Sequence, residues 1–320
     1  MSVRLGVLGC ADIALRRILP SAAGLPGVRI TAIASRQQGK AEKAAATFGC
    51  DAVEGYQRLL DRDDVDAVYI PLPPGLHAEW VRRALAAGTH VLAEKPLTTS
   101  LEDSTTAVDQ AAREGLVLRE NYMFVHHAQH GKVRALLDEG AIGDLRGLSA
   151  AFSIPRRPGT DFRYAASLGG GALLDVGGYP LRLASHLLGP LRVVGASRQH
   201  DAGLGVDISG DALLRRDDGV AAHLSFGLDH AYVARYEVVG TTGRITVDRA
   251  YSPPADLTPI IALHRAGGVE TVALDPDDQC ANTLTAFVED VRANVATTDE
   301  AIVTQARLLD EIRAGQLSTS

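Results

Sequence analysis

A lysine suited to catalysis follows one of the apolar runs of this chain. Lys95 stands in the segment Glu94-Lys95-Pro96, directly after the strand-like run His90–Ala93. An open parallel sheet places ligands and reacting groups at the carboxyl ends of its strands. A glycine-containing turn after the first strand-like run is expected at the same edge, where it is a candidate dinucleotide site. The pairing predicts hydride transfer to or from a carbonyl group.

The candidate dinucleotide site is the turn that begins at Gly9. It lies between the apolar run Val3–Leu8 and a helical pattern that starts near Asp12. Gly9 permits the tight turn, and the N–H groups at the start of the helix are available to a pyrophosphate. The glycine pattern is incomplete, since Ala11 and Ala14 occupy the second and third small positions. A turn that serves only packing is the alternative.

The end of the second strand-like run predicts which dinucleotide binds. An NAD site carries an acidic residue there, about 20 residues past the glycines, which holds the ribose hydroxyls. This chain has Ser35-Arg36 at that point, and arginine pairs with phosphate through a fork of hydrogen bonds. We therefore predict NADP(H) rather than NAD(H). A solvated arginine without a ligand is the alternative.

A second segment with catalytic potential is the glycine-rich stretch from Gly169 to Tyr179. Asp175 and Tyr179 are four residues apart, so they share a face if this segment is helical. A lysine ammonium lowers the pKa of a neighbouring tyrosine, which can then donate a proton to a developing alkoxide. Lys95 would supply positive charge as the oxyanion forms, and the glycines would let the backbone approach a ligand. A core tyrosine with a hydrogen-bonded hydroxyl is the alternative.

Two further groups of polar residues have competing interpretations. His126 and His130 are spaced like a pair of metal ligands, but the sequence supplies no obvious third ligand, so we predict a histidine cluster without a metal. The loop from Arg156 to Tyr164 is basic within an acidic protein. It would either clamp a diphosphate or remain a solvated loop.

The order of the predicted elements indicates the fold class. Apolar runs alternate with helical patterns up to Asn121, as in a doubly wound α/β Rossmann domain with a parallel sheet. We assign residues 1–121 to this domain. Residues 122–320 form an α+β domain with a mostly antiparallel sheet, because strand-like runs separated by turn residues follow one another there; packing of a C-terminal helix back on the first domain is left open. The predicted strands are Val3–Leu8, Val28–Ala34, Ala67–Pro71, His90–Ala93 and Leu116–Arg119, then Leu145–Ile154, Arg192–Arg198, Ala212–Arg215, Ala221–Phe226, Arg235–Val239 and Ile260–His264.

The composition excludes several classes of partner. The net charge of −7 disfavours a nucleic acid, and we find no run of about 18 apolar residues, as a membrane span requires. The three cysteines are scattered and form no CxxC pair, which argues against a disulfide framework or a cysteine zinc site. We therefore predict a cytoplasmic protein that binds no metal, no nucleic acid and no membrane.

These residues together resemble the Gfo/Idh/MocA oxidoreductase family over essentially the whole chain. The resemblance is carried by the following segments: Gly9 to Ala14, Ser35-Arg36, Pro71-Leu72-Pro73, Glu94-Lys95-Pro96 and Asp175-x-Gly177-x-Tyr179. Tyrosine at 179 is similar to the branch of dihydrodiol dehydrogenases, xylose dehydrogenases and sugar-nucleotide 3-ketoreductases. Within that branch, Glu120 to His127 and Gly169 to Pro180 most resemble the ketoreductases of unusual deoxysugar pathways.

The resemblance implies roles for individual residues. Lys95 and Tyr179 would flank the substrate carbonyl, with the nicotinamide on its other side, and Asp175 would orient the sugar or the lysine. The C-terminal domain would present an open sheet for subunit contacts in a homodimer or homotetramer. The implied cofactor-binding residues are Gly9, Cys10, Ala11, Asp12, Ile13, Ser35, Arg36, Pro71, Leu72, Pro73, Leu76, His77, Glu94, Lys95 and Asn121, and the implied substrate-binding residues are Arg163, Tyr164, Asp175 and Tyr179.

The resulting hypothesis is an NADPH-dependent reduction of the C-3 keto group of a nucleotide-linked 4-keto-deoxyhexose, with dTDP as the expected nucleotide, in unusual deoxysugar biosynthesis. One alternative is an NADP-dependent dehydrogenase of D-xylose or a trans-dihydrodiol. The other is a non-catalytic NADP-binding sensor, which would need neither Lys95 nor Tyr179.

Overall fold

The structure is a computed structural model that describes residues 2–293 and 300–315, and it divides into two compact units. The first unit contains residues 2–121 and the described part of 280–306, and the second contains residues 122–279 and 307–315. The prediction from sequence placed 122–320 in the second domain and left open that a C-terminal helix packs on the first. The described residues of 280–306 group with the first unit because Ile302 is buried in its hydrophobic core and the Thr283 hydroxyl donates to Oδ1 of Asn121 at 3.2 Å.

The strands are numbered β1 to β14 in chain order. Those of the first unit are β1 (Val3–Leu8), β2 (Val28–Ser35), β3 (Asp51–Glu54), β4 (Ala67–Ile70), β5 (His90–Glu94) and β6 (Leu118–Asn121). Those of the second unit are β7 (Leu145–Ser153), β8 (Arg192–Asp201), β9 (Val206–Arg215), β10 (Ala221–Gly227), β11 (Val233–Gly240), β12 (Gly243–Asp248), β13 (Ile260–Arg265) and β14 (Gly268–Ala273).

The helices include two π-helical turns, and each of these runs directly into an α-helix. The turns are Ala14–Ile18 before α1 and Leu173–Gly177 before α7. Among the described residues, every helix is too short or too polar to cross a lipid bilayer. The α-helices are α1 (Leu19–Gly24), α2 (Gln38–Phe48), α3 (Tyr56–Leu60), α4 (His77–Ala86), α5 (Leu101–Glu114), α6 (Ala128–Asp138), α7 (Gly178–Leu188), α8 (Gln279–Ala293) and α9 (Glu300–Ala314).

The first unit is a Rossmann domain, as predicted. Its six strands are all parallel and lie in the order β3-β2-β1-β4-β5-β6. Strand order reverses between β1 and β4, and this topological switch point is where doubly wound sheets bind ligands. The turns that start at Gly9 and at Pro71 both leave the sheet at this point. The edge strand β3 was not predicted, because its four residues are exposed or only partly buried and form no apolar run.

The second unit contains an eight-stranded sheet in the order β14-β13-β12-β11-β7-β10-β9-β8. Every pair is antiparallel except β7 with β10, so the predicted mostly antiparallel sheet is confirmed. One face carries the hydrophobic core, against which α7 packs over β7 and β10. The strands β12 and β14 were missed. In β12 only Ile245 and Val247 face the core, and β14 is an edge strand whose residues are almost all exposed.

Candidate functional site

The turn after β1 forms one wall of a cavity of about 640 Å³ in the first unit. Gly9 has φ of 124°, which an L side chain rarely adopts, and a Cβ there would lie 3.0 Å from Cδ2 of Leu72. The Gly9 N–H donates to the carbonyl of Ala34 at 2.9 Å, which joins this turn to the end of β2. The absent side chain therefore lets Leu72 pack against this turn, and the helix that follows the turn can offer its N–H groups to a pyrophosphate.

The end of β2 carries cations and no carboxylate on the cavity wall. Arg36 and Lys40 are exposed, and Ser35 beside them is buried. Tyr56 closes this wall. Burial raises the pKa of the Tyr56 phenol, and the Arg36 guanidinium, which hydrogen-bonds to it, acts in the opposite direction. A serine hydroxyl and two cations suit a phosphate on the ribose better than they suit free ribose hydroxyls.

The structure brings most of the predicted residues of the glycine turn, the β2 end and the proline turn to this cavity. Gln37, Lys40 and Tyr56 were not predicted from sequence. Lys40 could have been, because it is a cation four residues after Arg36, at a strand end that lacks a carboxylate. The residues that line the cavity are Gly9, Cys10, Ala11, Ser35, Arg36, Gln37, Lys40, Tyr56, Pro71, Leu72 and Pro73. The other predicted cofactor residues, which lie outside this lining, are Asp12, Ile13, Leu76, His77, Glu94, Lys95 and Asn121.

Lys95 follows β5 directly, next to a buried carboxyl group. The Glu94 carboxyl oxygen Oε1 accepts hydrogen bonds from the Tyr69 hydroxyl and from Nδ2 of Asn121, both at 2.7 Å. Burial raises the pKa of Glu94, whereas these two donors and the charge of Lys95 lower it. The side chains of Glu94 and Asn121 are therefore hydrogen-bonded to each other in the interior of the first unit. Lys95 is partly buried at the carboxyl edge of the sheet.

His77 is fully buried at the start of α4. Its ring nitrogens Nδ1 and Nε2 lie 2.8 Å from the carbonyl oxygen of Pro96 and 2.7 Å from that of Leu72. Both nitrogens are thus engaged by backbone groups rather than turned towards the cavity.

In the second unit, Asp175 is held by an arginine. The Nε atom of Arg163 donates to Asp175 at 2.6 Å, and its Nη1 atom donates to Asp161 at 3.1 Å. Burial lowers the pKa of Arg163, but the two carboxylates outweigh it and raise that pKa overall. With its charge balanced in this way, Arg163 is better suited to orienting Asp175 than to clamping a diphosphate. Tyr164 is buried, and its hydroxyl accepts from the backbone N–H of Arg157 at 3.0 Å.

Tyr179 lies among aromatic rings of the second unit. Its ring centroid is 4.9 Å from that of Phe152, 5.4 Å from that of Tyr122 and 5.6 Å from that of Tyr251. The ring of Phe124 is also close, at 5.8 Å. Edge-to-face and tilted packing of this kind fixes the orientation of a ring. These ring contacts therefore hold the phenol of Tyr179 in one orientation.

A π-helical turn precedes Tyr179 and contains Asp175. Such turns are rare and occur frequently at functional sites. The four-residue spacing of Asp175 and Tyr179 indicated a helical face but not the π turn.

The glycines before this helix serve packing rather than ligand approach. A Cβ on Gly170 would lie 2.5 Å from the carbonyl oxygen of Arg163, and one on Gly171 would lie 2.4 Å from Oδ1 of Asp207. Gly177 packs in the same way against the ring of Phe226. Each glycine lets a neighbouring group approach the helix that carries Asp175 and Tyr179.

Asp207 anchors the start of that helix. Its Oδ2 atom accepts the backbone N–H of Leu173 at 2.7 Å, and Arg198 lies 3.8 Å from Oδ1. Sequence analysis did not single out Asp207. A carboxylate that caps one helix from a distant strand leaves no local spacing pattern.

Replacement of Asp207 by alanine is expected to lower the free energy of unfolding by about 1.5–3 kcal/mol, because a buried charged acceptor of a backbone N–H is lost. Chemical denaturation measures the change. Asp218→Ala is the matched control, since Asp218 accepts the N–H of Val220 at 3.2 Å from a half-exposed position. Equal losses in both variants would contradict an anchoring role for Asp207.

The histidine cluster has no metal-binding arrangement. His130 is fully buried, and its ring nitrogens meet the hydroxyl of Tyr236 at 3.2 Å and the carbonyl oxygen of Ala250 at 2.8 Å. Burial lowers the pKa of His130 to about 3. Within residues 2–293 and 300–315, no group of three His, Cys, Asp or Glu side chains is placed to hold a metal ion.

Two family models match successive parts of the chain. Residues 3–122 match the oxidoreductase family with an NAD-binding Rossmann fold, and residues 130–246 match the GFO/IDH/MocA C-terminal domain. Two curated relatives are named dTDP-3,4-didehydro-2,6-dideoxy-alpha-D-glucose 3-reductase. The one from Saccharopolyspora spinosa is 50% identical, over 97% of this chain and 96% of its own length. The one from Streptomyces violaceoruber is 53% identical, over 98% and 95%.

A solved structure resembles the whole chain. It is a 3-ketoreductase from Actinomadura kijaniata in complex with NADP and TDP-benzene, with a TM-score of 0.96 and 47% identity over 99% of this chain and 98% of that one. Variants of that enzyme with one tyrosine changed to phenylalanine, or one lysine changed to alanine, have been crystallised with the same ligands. The altered lysine and tyrosine are as many positions apart as Lys95 and Tyr179 are here. The chain belongs to the Gfo/Idh/MocA oxidoreductase family.

Proposed function

We propose that this chain is a cytoplasmic, NADPH-dependent ketoreductase that reduces the C-3 keto group of a dTDP-linked 4-keto-deoxyhexose in deoxysugar biosynthesis. The observation that carries the proposal is the extent of the match with proteins named 3-reductases, which reaches nearly the full length of both chains. A match limited to the Rossmann domain would support a cofactor and leave the substrate open. The second unit, where Asp175 and Tyr179 lie, is included in the match.

The cavity of the first unit fits NADP(H). Gly9 lines the cavity without a side chain, and Ser35, Arg36 and Lys40 stand where an NAD site has a carboxylate. NADPH, when bound, would supply the hydride to the substrate carbonyl. Arg36 and Lys40 would hold the ribose phosphate, and Leu72, which packs against the glycine turn, would form part of the wall.

The residues of this chain would stabilise the developing charge and donate the proton. Lys95 would stabilise the negative charge that develops on the carbonyl oxygen, and Tyr179 would donate the proton to that oxygen. Asp175, which Arg163 orients, would accept a hydrogen bond from the sugar or from the lysine.

The first experiment follows NADPH oxidation by absorbance. A 2,3-dehydratase generates the labile dTDP-linked 3-keto-deoxysugar in the same cuvette. The expected result is rapid oxidation that depends on the dehydratase. Reduction of NADP by D-xylose or a trans-dihydrodiol instead would identify a catabolic dehydrogenase. Tight NADPH binding without turnover of any keto sugar would favour the sensor.

Replacement of Arg36 by alanine is expected to raise the KM for NADPH by about 10–100-fold, the loss of one charge-assisted hydrogen-bonding pair with phosphate. The KM for NADH should change little, since NADH has no ribose phosphate. Arg29→Ala is the control, because Arg29 is exposed on the same strand β2 at its amino end. A wild-type protein that uses NADH at the lower KM would contradict the assignment of NADP.

We further propose that the uncovered face of the eight-stranded sheet binds a second copy of this chain, in a homodimer or homotetramer. Val239, Ile260 and Val269 are 37%, 53% and 60% exposed on this face, with Arg244 and His264 between Val239 and Val269. Exposed apolar side chains with polar neighbours are typical of a protein–protein contact surface. Glu237 and Arg244 lie on the same face and form a salt bridge at 3.4 Å. A surface with both charges can pair with its own copy across a twofold axis.

Replacement of Ile260 by glutamate is expected to shift the protein from the oligomer to the monomer, because it places a charge in the proposed contact surface. Light scattering after size exclusion measures the molar mass. Thr47→Glu is the control, since it adds the same charge at an exposed position of α2 in the first unit and not on this sheet. A wild-type monomer would contradict the proposal.

A further inference from the structure

We propose that His77 is a positioning residue for Lys95, an inference that rests on the proposed function. Its buried imidazole joins the backbone of the Lys95 turn to the backbone of the proline turn that walls the cofactor cavity. The resemblance implied only a cofactor contact for His77. Its ring nitrogens instead face two backbone carbonyl oxygens.

The two backbone groups that meet at His77 belong to adjacent strands. Pro96 follows β5 and Leu72 follows β4, and these strands pair in parallel with Ile70 opposite Ala93. The ring nitrogens lie 2.8 Å from the Pro96 carbonyl oxygen and 2.7 Å from the Leu72 carbonyl oxygen. One fully buried side chain thus sets the separation of the two turns at the carboxyl edge of the sheet.

Polar contacts hold the residues on both sides of Lys95 in place. Glu94 before it is bonded to Tyr69 and Asn121. The carbonyl oxygen of Pro96 after it lies 2.8 Å from Nδ1 of His77, and the N–H of Leu97 donates to the Glu120 carboxylate at 2.8 Å. Pro96 has no N–H of its own, so its backbone can make polar contacts only through this carbonyl. The position of the Lys95 ammonium depends on this backbone.

The proline turn depends on His77 in the same way. Pro71 and Pro73 lack an N–H, so neither residue can donate a hydrogen bond that holds the turn. The carbonyl oxygen of Leu72 lies 2.7 Å from Nε2 of His77, and the Leu72 side chain packs against Gly9. Loss of the imidazole therefore loosens the wall and the lysine together.

The number of bonds that the ring makes depends on its protonation. A neutral imidazole donates one hydrogen bond, and only the imidazolium donates to both carbonyls. Burial lowers the pKa of His77 and outweighs the carbonyl contacts, which raise it, so the neutral ring is favoured; it donates to one carbonyl and packs against the other. Glutamine, which keeps a donor, is the conservative replacement, and phenylalanine keeps the ring volume without any donor.

The test is a double-mutant cycle that compares His77→Phe in the wild-type background and in the Lys95→Ala background. We expect kcat to fall about 10–100-fold in the wild-type background, since a displacement of about 1 Å costs a factor of this size. In the Lys95→Ala background the same change should lower kcat by less than about threefold, because a residue that acts through Lys95 has nothing left to position. His77→Gln should recover part of the loss in kcat.

The control is His90→Phe. His90 is a partly buried histidine at the amino end of β5, whose ring accepts the N–H of Val117 at 3.0 Å. It should leave kcat unchanged in both backgrounds. Equal factors for His77→Phe in the two backgrounds, or an unchanged kcat in both His77 variants, would overturn the proposal.

The substrate is whichever carbonyl compound the wild-type protein reduces, so failure of the sugar assignment remains distinguishable from failure of the role of His77. A Lys95→Ala variant with wild-type kcat would overturn both the role of Lys95 and its positioning by His77.

Discussion

Replacement of Lys95 by alanine is expected to lower kcat by about 10²–10³-fold, the effect of removing one group that stabilises a developing oxyanion. The physical reason is that a carbonyl oxygen gains negative charge as it receives the hydride, and alanine supplies no positive charge there. NADPH oxidation with the dehydratase-generated substrate measures kcat. Fluorescence titration measures the Kd for NADPH, which should change by less than about tenfold.

Two further variants make this result specific. Lys95→Arg keeps the charge but replaces a compact ammonium by a planar fork, so we expect it to recover little activity. Lys43→Ala removes a lysine from the exposed side of α2 and should leave kcat unchanged. A Lys95→Ala protein with wild-type kcat would assign stabilisation of the oxyanion to another group.

The strands that were predicted from sequence are those whose residues are buried throughout or alternate clearly between buried and exposed. The strand Ala67–Ile70 is buried throughout and was recognised as an apolar run. The strands β3 and β14 lie at sheet edges, where few side chains reach the core, and the apolar signal is correspondingly weak. The missed elements reflect a lack of burial rather than unusual sequence.

The residues of the candidate site were likewise predicted or missed according to whether a local segment places them. Residues in contiguous segments, such as Gly9 and Ser35-Arg36, were found because the backbone that places them is local. Tyr56 reaches the same cavity from α3, and Asp207 reaches the helix of Tyr179 from β9. Such groups come together only through tertiary packing, which no single segment encodes. His77 shows a further limit, because its position in the sequence matched a cofactor site while both of its ring nitrogens face backbone carbonyl oxygens.

Replacement of Tyr179 by phenylalanine is expected to lower kcat by about 10²–10⁴-fold, the usual contribution of a positioned general acid. The substitution removes the proton donor and keeps the ring, which packs against Phe152 and Tyr122. The KM for NADPH should stay within about threefold of wild type. Steady-state measurements of NADPH oxidation give both quantities. A kcat near that of wild type would shift the proton-donor role to Lys95 or to water.

The same aromatic cluster contains its own control. The ring of Tyr251 lies 5.6 Å from that of Tyr179, and its buried hydroxyl has no hydrogen-bond partner among the described residues. Tyr251→Phe therefore deletes one hydroxyl from the same environment, and we expect kcat to remain unchanged, since an unsatisfied polar group is removed. A loss confined to Tyr179→Phe would isolate the proton of Tyr179 as the cause. Equal losses in the two variants would instead show that removal of either hydroxyl disturbs this cluster, and they would remove the evidence that Tyr179 is the proton donor, because both substitutions keep the rings and differ only in which hydroxyl they delete.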